Sequence, residues 1–295
     1  MVDMIDLSLL AAPALVEQLD FETILAQCVA QATAALPDLA ETLALESEPV
    51  NIVLQVLAYR ELLLRQRINE AAQALMLSYA TSTDLDQIGG NYGIPRLVID
   101  PGNTNAVPPV APVLEGDGDF RTRILQSLER FSTAGSAASY VYHAMTASGD
   151  VLDASAVSPV AGQVTVYVLA RDGDGTASAE LLATVAAALN ADTVRPMTDL
   201  VTVLSASIVP YAITATLLVS NGPDAETIRA TAVQAAQAYV EDSRRLGVGV
   251  ALSGVYRALH QPGVLRAELA APTADVDVSP GQAARCTAIN VTVAA

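Results

Sequence analysis

A stretch of about 30 residues, from Pro49 to Tyr79, has no internal glycine or proline. Its apolar residues recur at spacings of seven, four, three and four at Leu57, Leu64, Ile68, Ala71 and Leu75. This heptad periodicity predicts one long helix, roughly 45 Å in length. Because a small domain cannot bury a helix of that length, we expect it to pack against other helices, in this chain or in a partner. An ordinary long core helix is the alternative.

The heptad stripe defines a candidate protein interface. Its predicted contact residues are Leu57, Leu64, Ile68 and Leu75. Further apolar residues widen the stripe beyond a two-stranded seam: Val50, Val53, Leu54, Leu62 and Met76. Arg60 and Arg65, with Glu61, form either inter-helix ion pairs or an ordinary solvated face, since exposed ion pairs contribute little.

The pattern of the whole chain predicts an α+β fold with a helical N-terminal region. Residues 1–100 contain a helix from Leu15 to Leu36 and the long helix at about 49–79. A capped turn of helix begins near Thr83, and the Pro-rich stretch 95–112 is typical of an extended connector. Two small α+β domains follow, at 101–206 and 207–295.

The two α+β domains are predicted to be related. Five residues recur at a constant offset of 114: Ser139, Val141, Tyr142, Ala144 and Gly149 match Ser253, Val255, Tyr256, Ala258 and Gly263. Each set lies in a predicted succession of two helices and two strands. Repeated small domains suit a strut or a ring-forming protein better than a single binding cleft, although fold alone does not fix function.

The charge of the chain argues against a nucleic-acid partner. The net charge is −17, and all 15 basic residues are arginine. Phosphate contacts dominate nucleic-acid affinity, so an acidic chain is a poor candidate. The first 50 residues hold nine acids and no base, which indicates either a solvated terminus or a surface for a basic partner. No apolar run approaches the roughly 20 residues of a membrane span, and Met1 to Leu10 lacks the basic region of an export signal. We therefore expect synthesis in the cytoplasm and no membrane.

The sequence contains no recognisable catalytic or metal-binding motif. The two histidines, His143 and His260, lie on predicted helices, and His143 has no acid within four positions to orient it. Cys28 and Cys286 are too far apart for paired-cysteine metal spacing. Without lysine, a phosphate-binding Gly-Lys-Ser/Thr motif and a Schiff base are impossible. We therefore predict no enzyme activity and no cofactor. A carboxylate-dependent hydrolase is the alternative, since 32 acids leave many possible pairs.

Two acidic loops fail the test for a calcium site. A calcium loop of this kind needs glycine at its sixth position and glutamate at its twelfth. The loop that starts at Asp172 has Ala177 and Ala183 there, and the loop that starts at Glu115 has Phe120 and Gln126. Both loops are predicted to be turns that lead into helices.

Several blocks of sequence, in order along the chain, resemble the phage baseplate J-like family. These blocks are Glu48 to Asn69, Thr83 to Asp86, Gly93 to Arg96, Asp119 to Leu125, Thr133 to Ser136 and Val194 to Asp199. They cover most of the chain from about Asp20 onwards. Each block alone is weakly specific, but their common order is a strong indication.

The resemblance implies a structural wedge subunit in the baseplate of a contractile-tailed phage or an R-type tailocin (pyocin). Two copies would combine with one copy of a second, I-like wedge protein, and their long helices would form a core bundle. The C-terminal domains would join neighbouring wedges in a ring around the central hub and spike, beside a sheath-initiator-like protein. The ring would rearrange when the sheath contracts. The family supplies no catalytic residues.

Overall fold

A computed structural model describes residues 7, 10–11, 13, 15–43, 45, 47–132, 135–220 and 225–294. The described residues divide into two compact units, one that ends at Pro95 and one that starts at Arg96. The first is helical and the second contains helices and small sheets, so the predicted α+β class with a helical N-terminal region is confirmed.

The N-terminal unit is built from helices. They are α1 (Phe21–Ala35), a 3-10 turn (Pro37–Leu39), α2 (Ala40–Leu43), α3 (Pro49–Ala74) and α4 (Ser82–Asn91). The first helix begins six residues later than predicted because Asp20 caps it: its carboxylate accepts a hydrogen bond from the backbone N–H of Thr23 at 2.8 Å. Helix α1 packs along α3, and its Ile24 is buried.

The long helix α3 is shorter than predicted at its C-terminal end. It starts at Pro49, a residue favoured in the first turn because it has no N–H to leave unpaired. It ends at Ala74 rather than near Tyr79. The N–H groups of Leu75 and Met76 bond to carbonyls only three residues back, so the last turn tightens and the chain leaves the helix. Leu75 is therefore the C-cap residue.

The second unit opens with a short antiparallel pair within and just beyond the predicted connector. Its strands are β1 (Val98–Asp100) and β2 (Val113–Leu114). Helix α5 (Asp117–Gln126) follows and continues as a 3-10 turn (Ser127–Phe131).

The middle domain consists of two helices on one three-stranded sheet. Its elements are α6 (Ala137–Ala147), β3 (Val151–Val160), β4 (Gln163–Ala170), α7 (Ala179–Leu189) and β5 (Leu200–Ser205). Strand β4 is central, with β3 antiparallel on one side and β5 parallel on the other. Apolar residues of β3 and β4 pack against both helices, with Val166, Val168, Val185 and Leu189 fully buried.

The C-terminal domain repeats this arrangement. Its elements are β6 (Ser207–Val219), α8 (Ala225–Ser243), α9 (Leu252–Leu259), β7 (Val264–Ala271) and β8 (Gln282–Val293). Strand β6 is central, with β7 antiparallel and β8 parallel. Strand β8 pairs with β6 from Ser207 onwards. The sequence Gly222-Pro223-Asp224 predicts the start of a helix at this point, but these three residues lie outside the described part of the chain.

The two domains share their parts but not the order of those parts along the chain. The repeat helices α6 and α9 each lead through a glycine into the antiparallel edge strand, β3 or β7. The central strand follows this helix–strand pair in the middle domain and precedes it in the C-terminal domain. The repeat at offset 114 therefore marks equivalent helix–glycine–strand segments. The next strands, β4 and β8, occupy different places in their sheets.

Candidate protein interface

Helix α3 has a buried face that belongs to its own unit. Asn51, Ala58 and Asn69 are buried along this face. The side-chain amide of Asn51 donates to the carbonyl oxygen of Leu43 at 3.0 Å. Asn69 both donates to the carbonyl oxygen of Glu17 (2.8 Å) and accepts from its N–H (3.1 Å). These contacts fix which side of α3 faces the rest of the unit.

The opposite face of α3 exposes large apolar side chains in two adjacent stripes. One stripe contains Val53, Leu57, Leu64 and Ile68, at spacings of four, seven and four. The other contains Ile52, Val56, Tyr59 and Leu63, at spacings of four, three and four. At about 100° per residue, the two stripes together cover roughly half of the helix circumference. We call this surface the outer face of α3.

Three of the four predicted contact residues lie on one stripe of α3. Leu57, Leu64 and Ile68 lie on the same stripe and are 53%, 64% and 60% exposed. Leu75 is 82% exposed but sits at the C-cap, beyond the helical repeat. The sequence analysis did not identify Val56, Tyr59 and Leu63 as a second stripe. Their spacings of three and four residues are nevertheless those of one helical face and could have predicted it.

The charged residues of the predicted interface occupy different surroundings. Arg65 donates to Glu61 one turn earlier at 2.6 Å, and to Glu17 at 3.2 Å. Its ion pairs are therefore formed within the chain, at the border of the buried face. Arg60 is exposed on the outer face, and its guanidinium group has no hydrogen bond or ion pair with any residue that the structure describes.

An exposed apolar surface of this size on one helix is characteristic of a protein contact. Scattered exposed leucines are ordinary, but contiguous apolar patches mark interaction sites. With heptad spacing, the surface is suited to other helices that insert their side chains between its own.

The residues considered for catalysis are dispersed. His143 is half-buried and lies edge-on to Tyr142, and burial lowers the pKa of its imidazole. Among the described residues, no group of three or more histidine, cysteine, aspartate or glutamate side chains could hold a metal ion. A pocket beside Arg244 and Cys286 has a volume of about 80 Å³, small compared with the roughly 300 Å³ at which small-molecule sites begin.

No helix in the described part of the chain is long and apolar enough to cross a membrane.

The two acidic loops serve as structural turns. Asp117 and Asp119 lie in the first turn of α5, near its positive end. Asp117 pairs with Arg96 at 2.6 Å, and the buried Glu115 pairs with the buried Arg123, also at 2.6 Å. In the other loop, Asp174 accepts from the N–H of Thr176 at 2.8 Å. Sequence reasoning identified the turns but missed the arginine partners, because Arg123 is 8 residues from Glu115 and Arg96 is 21 residues from Asp117.

Comparison with known proteins assigns the chain to a family. Three family profiles match consecutive parts of it: the Baseplate J-like N-terminal domain at residues 46–103, the central domain at 132–205 and the C-terminal domain at 211–292. The chain is also 49% identical over 292 residues to Baseplate protein J of Escherichia phage P2, covering 97% of each protein. The chain belongs to the baseplate J-like family. The resemblance read from its sequence blocks is thereby confirmed.

Membership of the baseplate J-like family makes this chain a structural protein of a phage tail baseplate. As such it contacts other baseplate components within the tail. The N-terminal profile spans all of α3, including its outer face. The other two profiles match the two domains that share a sheet arrangement.

Proposed function

We propose that this protein is a non-enzymatic wedge subunit of a contractile-tail baseplate, from a phage or an R-type tailocin, and that it assembles through the outer face of α3. The observation that carries the proposal is the double stripe of exposed apolar residues on that helix. Burial of apolar surface contributes about 25 cal/mol per Å², so a partner that covers these side chains gains substantial free energy.

The width of the outer face supports a bundle of more than two helices. One helix contact uses a stripe about 100° wide, whereas this face covers about twice that. Each of the two stripes can therefore receive its own partner helix. This suits a wedge in which two copies of the chain combine with one copy of a second, I-like wedge protein.

In the proposed bundle, Arg60 needs a polar group from a partner helix opposite its side chain. It lies between the two stripes, so a partner helix that covers them also surrounds its guanidinium group. A buried unpaired charge is costly, and a partner carboxylate or carbonyl oxygen opposite Arg60 would offset that cost. Arg65 lies at the border of the buried face, where it donates to Glu61 of the same helix and to Glu17. These bonds link the segment around Glu17 to α3.

The two sheet domains provide the remaining contacts in this proposal. They join neighbouring wedges into a ring around the central hub and spike, next to a sheath-initiator-like protein, and the ring rearranges when the sheath contracts. The chain is made in the host bacterial cytoplasm and becomes part of the baseplate of the virion or tailocin. Membership of a structural baseplate family supports this role.

Co-expression of the chain with the I-like wedge protein of the same particle tests the proposal. Mass-resolved size-exclusion chromatography should give a complex with two copies of this chain and one of the partner. Leu64→Asp should abolish the complex, because it places a charge at the centre of the buried bundle. A Leu64→Asp variant that still forms wedges with native stoichiometry would exclude the outer face of α3 as the contact.

A matched control separates loss of assembly from loss of folding. Leu265 is 61% exposed on β7, close to the 64% of Leu64, but lies in the C-terminal domain. Leu265→Asp should leave the complex intact. Since both leucines are largely exposed in the free chain, each variant should change its unfolding free energy by only about 0.5 kcal/mol.

A further inference from the structure

The middle and C-terminal domains are joined by a single residue. Strand β5 ends at Ser205 and β6 begins at Ser207, with the buried Ala206 between them. The N–H of Ala206 donates to the carbonyl oxygen of Val168 in the middle domain at 2.8 Å. The N–H of Ser207 donates to the carbonyl oxygen of Gly281 in the C-terminal domain at 3.0 Å. The link is thus fixed to both domains by its own backbone.

Apolar side chains from both domains meet around this link. Leu152 and Leu169 of the middle domain form one buried cluster with Leu246, Ala283 and Ala206. The ring of Tyr167 lies against Gly281, where a Cβ atom would come within 2.8 Å of it. The two domains therefore have a small shared core in addition to their separate ones.

Hydrogen bonds between side chains and backbone groups cross the same boundary. The carboxylate of Asp153 on β3 accepts from the N–H of Leu246 at 2.7 Å. In the opposite direction, Arg244 donates to the carbonyl oxygen of Arg171 at 3.2 Å, and Arg285 donates to that of Gly173. Such charge-assisted bonds are stronger than neutral ones and fix geometry.

One carboxylate outside both domains connects them. Asp119, on α5, uses one oxygen to pair with Arg171 of the middle domain at 3.0 Å. Its other oxygen pairs with Arg245, which follows α8 in the C-terminal domain, at 3.2 Å. All three side chains are at least partly shielded from water, so solvent screens the pairs less than at an open surface.

We propose that the shared core, the Asp153–Leu246 bond and the bridging carboxylate of Asp119 lock the middle and C-terminal domains into one rigid lever, which moves as a single piece in any rearrangement of the baseplate. Two domains joined by one residue could otherwise reorient about that residue. With the lock in place, the two sheets keep one relative orientation. The proposal does not depend on the outer face of α3.

Hydrogen exchange of the full chain tests the lock directly. Amides of β4 and β6 report the opening of the two domain cores. In mild denaturant, a locked pair should open together, so the most protected amides of the two strands should agree in protection factor within about threefold. Protection factors that differ by more than about tenfold in the wild-type chain would overturn the proposal.

Asp119→Ala removes the bridge, and Asp117→Ala is its matched control. Both acids are in the first turn of α5, but Asp117 pairs with Arg96, outside the two domains. Asp119→Ala should separate the protection of β4 and β6 by about tenfold or more, whereas Asp117→Ala should leave them together. Equal protection in Asp119→Ala, or separation in Asp117→Ala as well, would show that the Asp119 bridge does not hold the domains together.

Discussion

The hydroxyl of Tyr140 donates a hydrogen bond to the carboxylate of Asp199 at 2.8 Å. Tyr140 is a buried residue of α6, and Asp199 immediately precedes β5. Burial and the nearby carboxylate raise the pKa of the Tyr140 hydroxyl above its ordinary value. Gly135 lies beside the same carboxylate with φ +70, where a Cβ atom would come within 2.8 Å of an Asp199 oxygen. The bond therefore connects the start of the domain to the start of its last strand.

Tyr140→Phe should destabilise the chain by about 1–2 kcal/mol, because it removes the donor while Asp199 remains charged. Urea denaturation followed by circular dichroism measures this change. Tyr142→Phe is the control, since the Tyr142 hydroxyl bonds to no described residue. Equal losses in the two variants would mean that the Tyr140–Asp199 bond contributes nothing specific.

The buried ion pair of Glu115 and Arg123 predicts a larger effect. Arg123→Ala should cost about 3–5 kcal/mol, because Glu115 is then left charged and buried. The double variant Glu115→Leu/Arg123→Met should regain most of that loss, since it removes both charges and keeps apolar volume. Denaturation of the single and double variants measures the coupling. A double variant no more stable than Arg123→Ala would contradict this account.

Periodicity predicted one of the two stripes on the outer face of α3, but exposed and buried heptad stripes look the same in sequence. The spacing of Leu57, Leu64 and Ile68 indicated one helical face, and the structure has all three exposed on α3. The spacing could not show that this face is exposed, because that depends on which side α1 covers. The buried side of α3 carries Asn51 and Asn69, although asparagine is a residue type usually expected on the surface. Their burial becomes understandable only when their backbone partners are known.

The strand order was beyond sequence analysis for a different reason. The repeat at offset 114 correctly paired α6 with α9, because both helices contribute a valine to a core, Val141 or Val255, and precede an edge strand. Which strand becomes central is decided by hydrogen bonding between segments far apart in the chain. Strand β6 pairs with β8 over 11 positions, and no local sequence pattern predicts that register.

Asn69→Ala should loosen the segment around Glu17. The Asn69 amide forms hydrogen bonds with both the N–H and the carbonyl oxygen of Glu17. The variant removes both bonds, so only water can replace them, and the free energy of unfolding should fall by about 1–2 kcal/mol. Hydrogen exchange at the amide of Glu17 should become faster than in the wild-type chain. Gln66→Ala is the control, because Gln66 bonds to Glu70 on the exposed surface. Unchanged exchange in Asn69→Ala would exclude this role.

Asp153 predicts a pH dependence of stability. Burial raises the pKa of this carboxyl; Asp119 adds to the shift, while the Leu246 and Ala154 N–H bonds and Arg245 oppose it. An acid whose pKa is higher in the folded chain contributes stability below its ordinary value of about 3.9, and loses that contribution as pH rises through the raised pKa. The unfolding free energy of the wild type, minus that of the non-titrating Asp153→Asn, should therefore increase as pH falls from 7 towards 4.5.

Asp174→Asn provides the comparison of opposite sign. The N–H and hydroxyl groups of Thr176 lower the pKa of Asp174, so its contribution is present above the ordinary value and is lost as pH falls through the lowered one. The difference between the wild type and Asp174→Asn should thus stay constant or shrink at low pH, while the difference for Asp153→Asn grows. Urea denaturation of the three proteins at pH 7, 6, 5 and 4.5 measures both trends. A flat or falling difference for Asp153→Asn would show that its carboxyl is not held in the desolvated position beside Leu246.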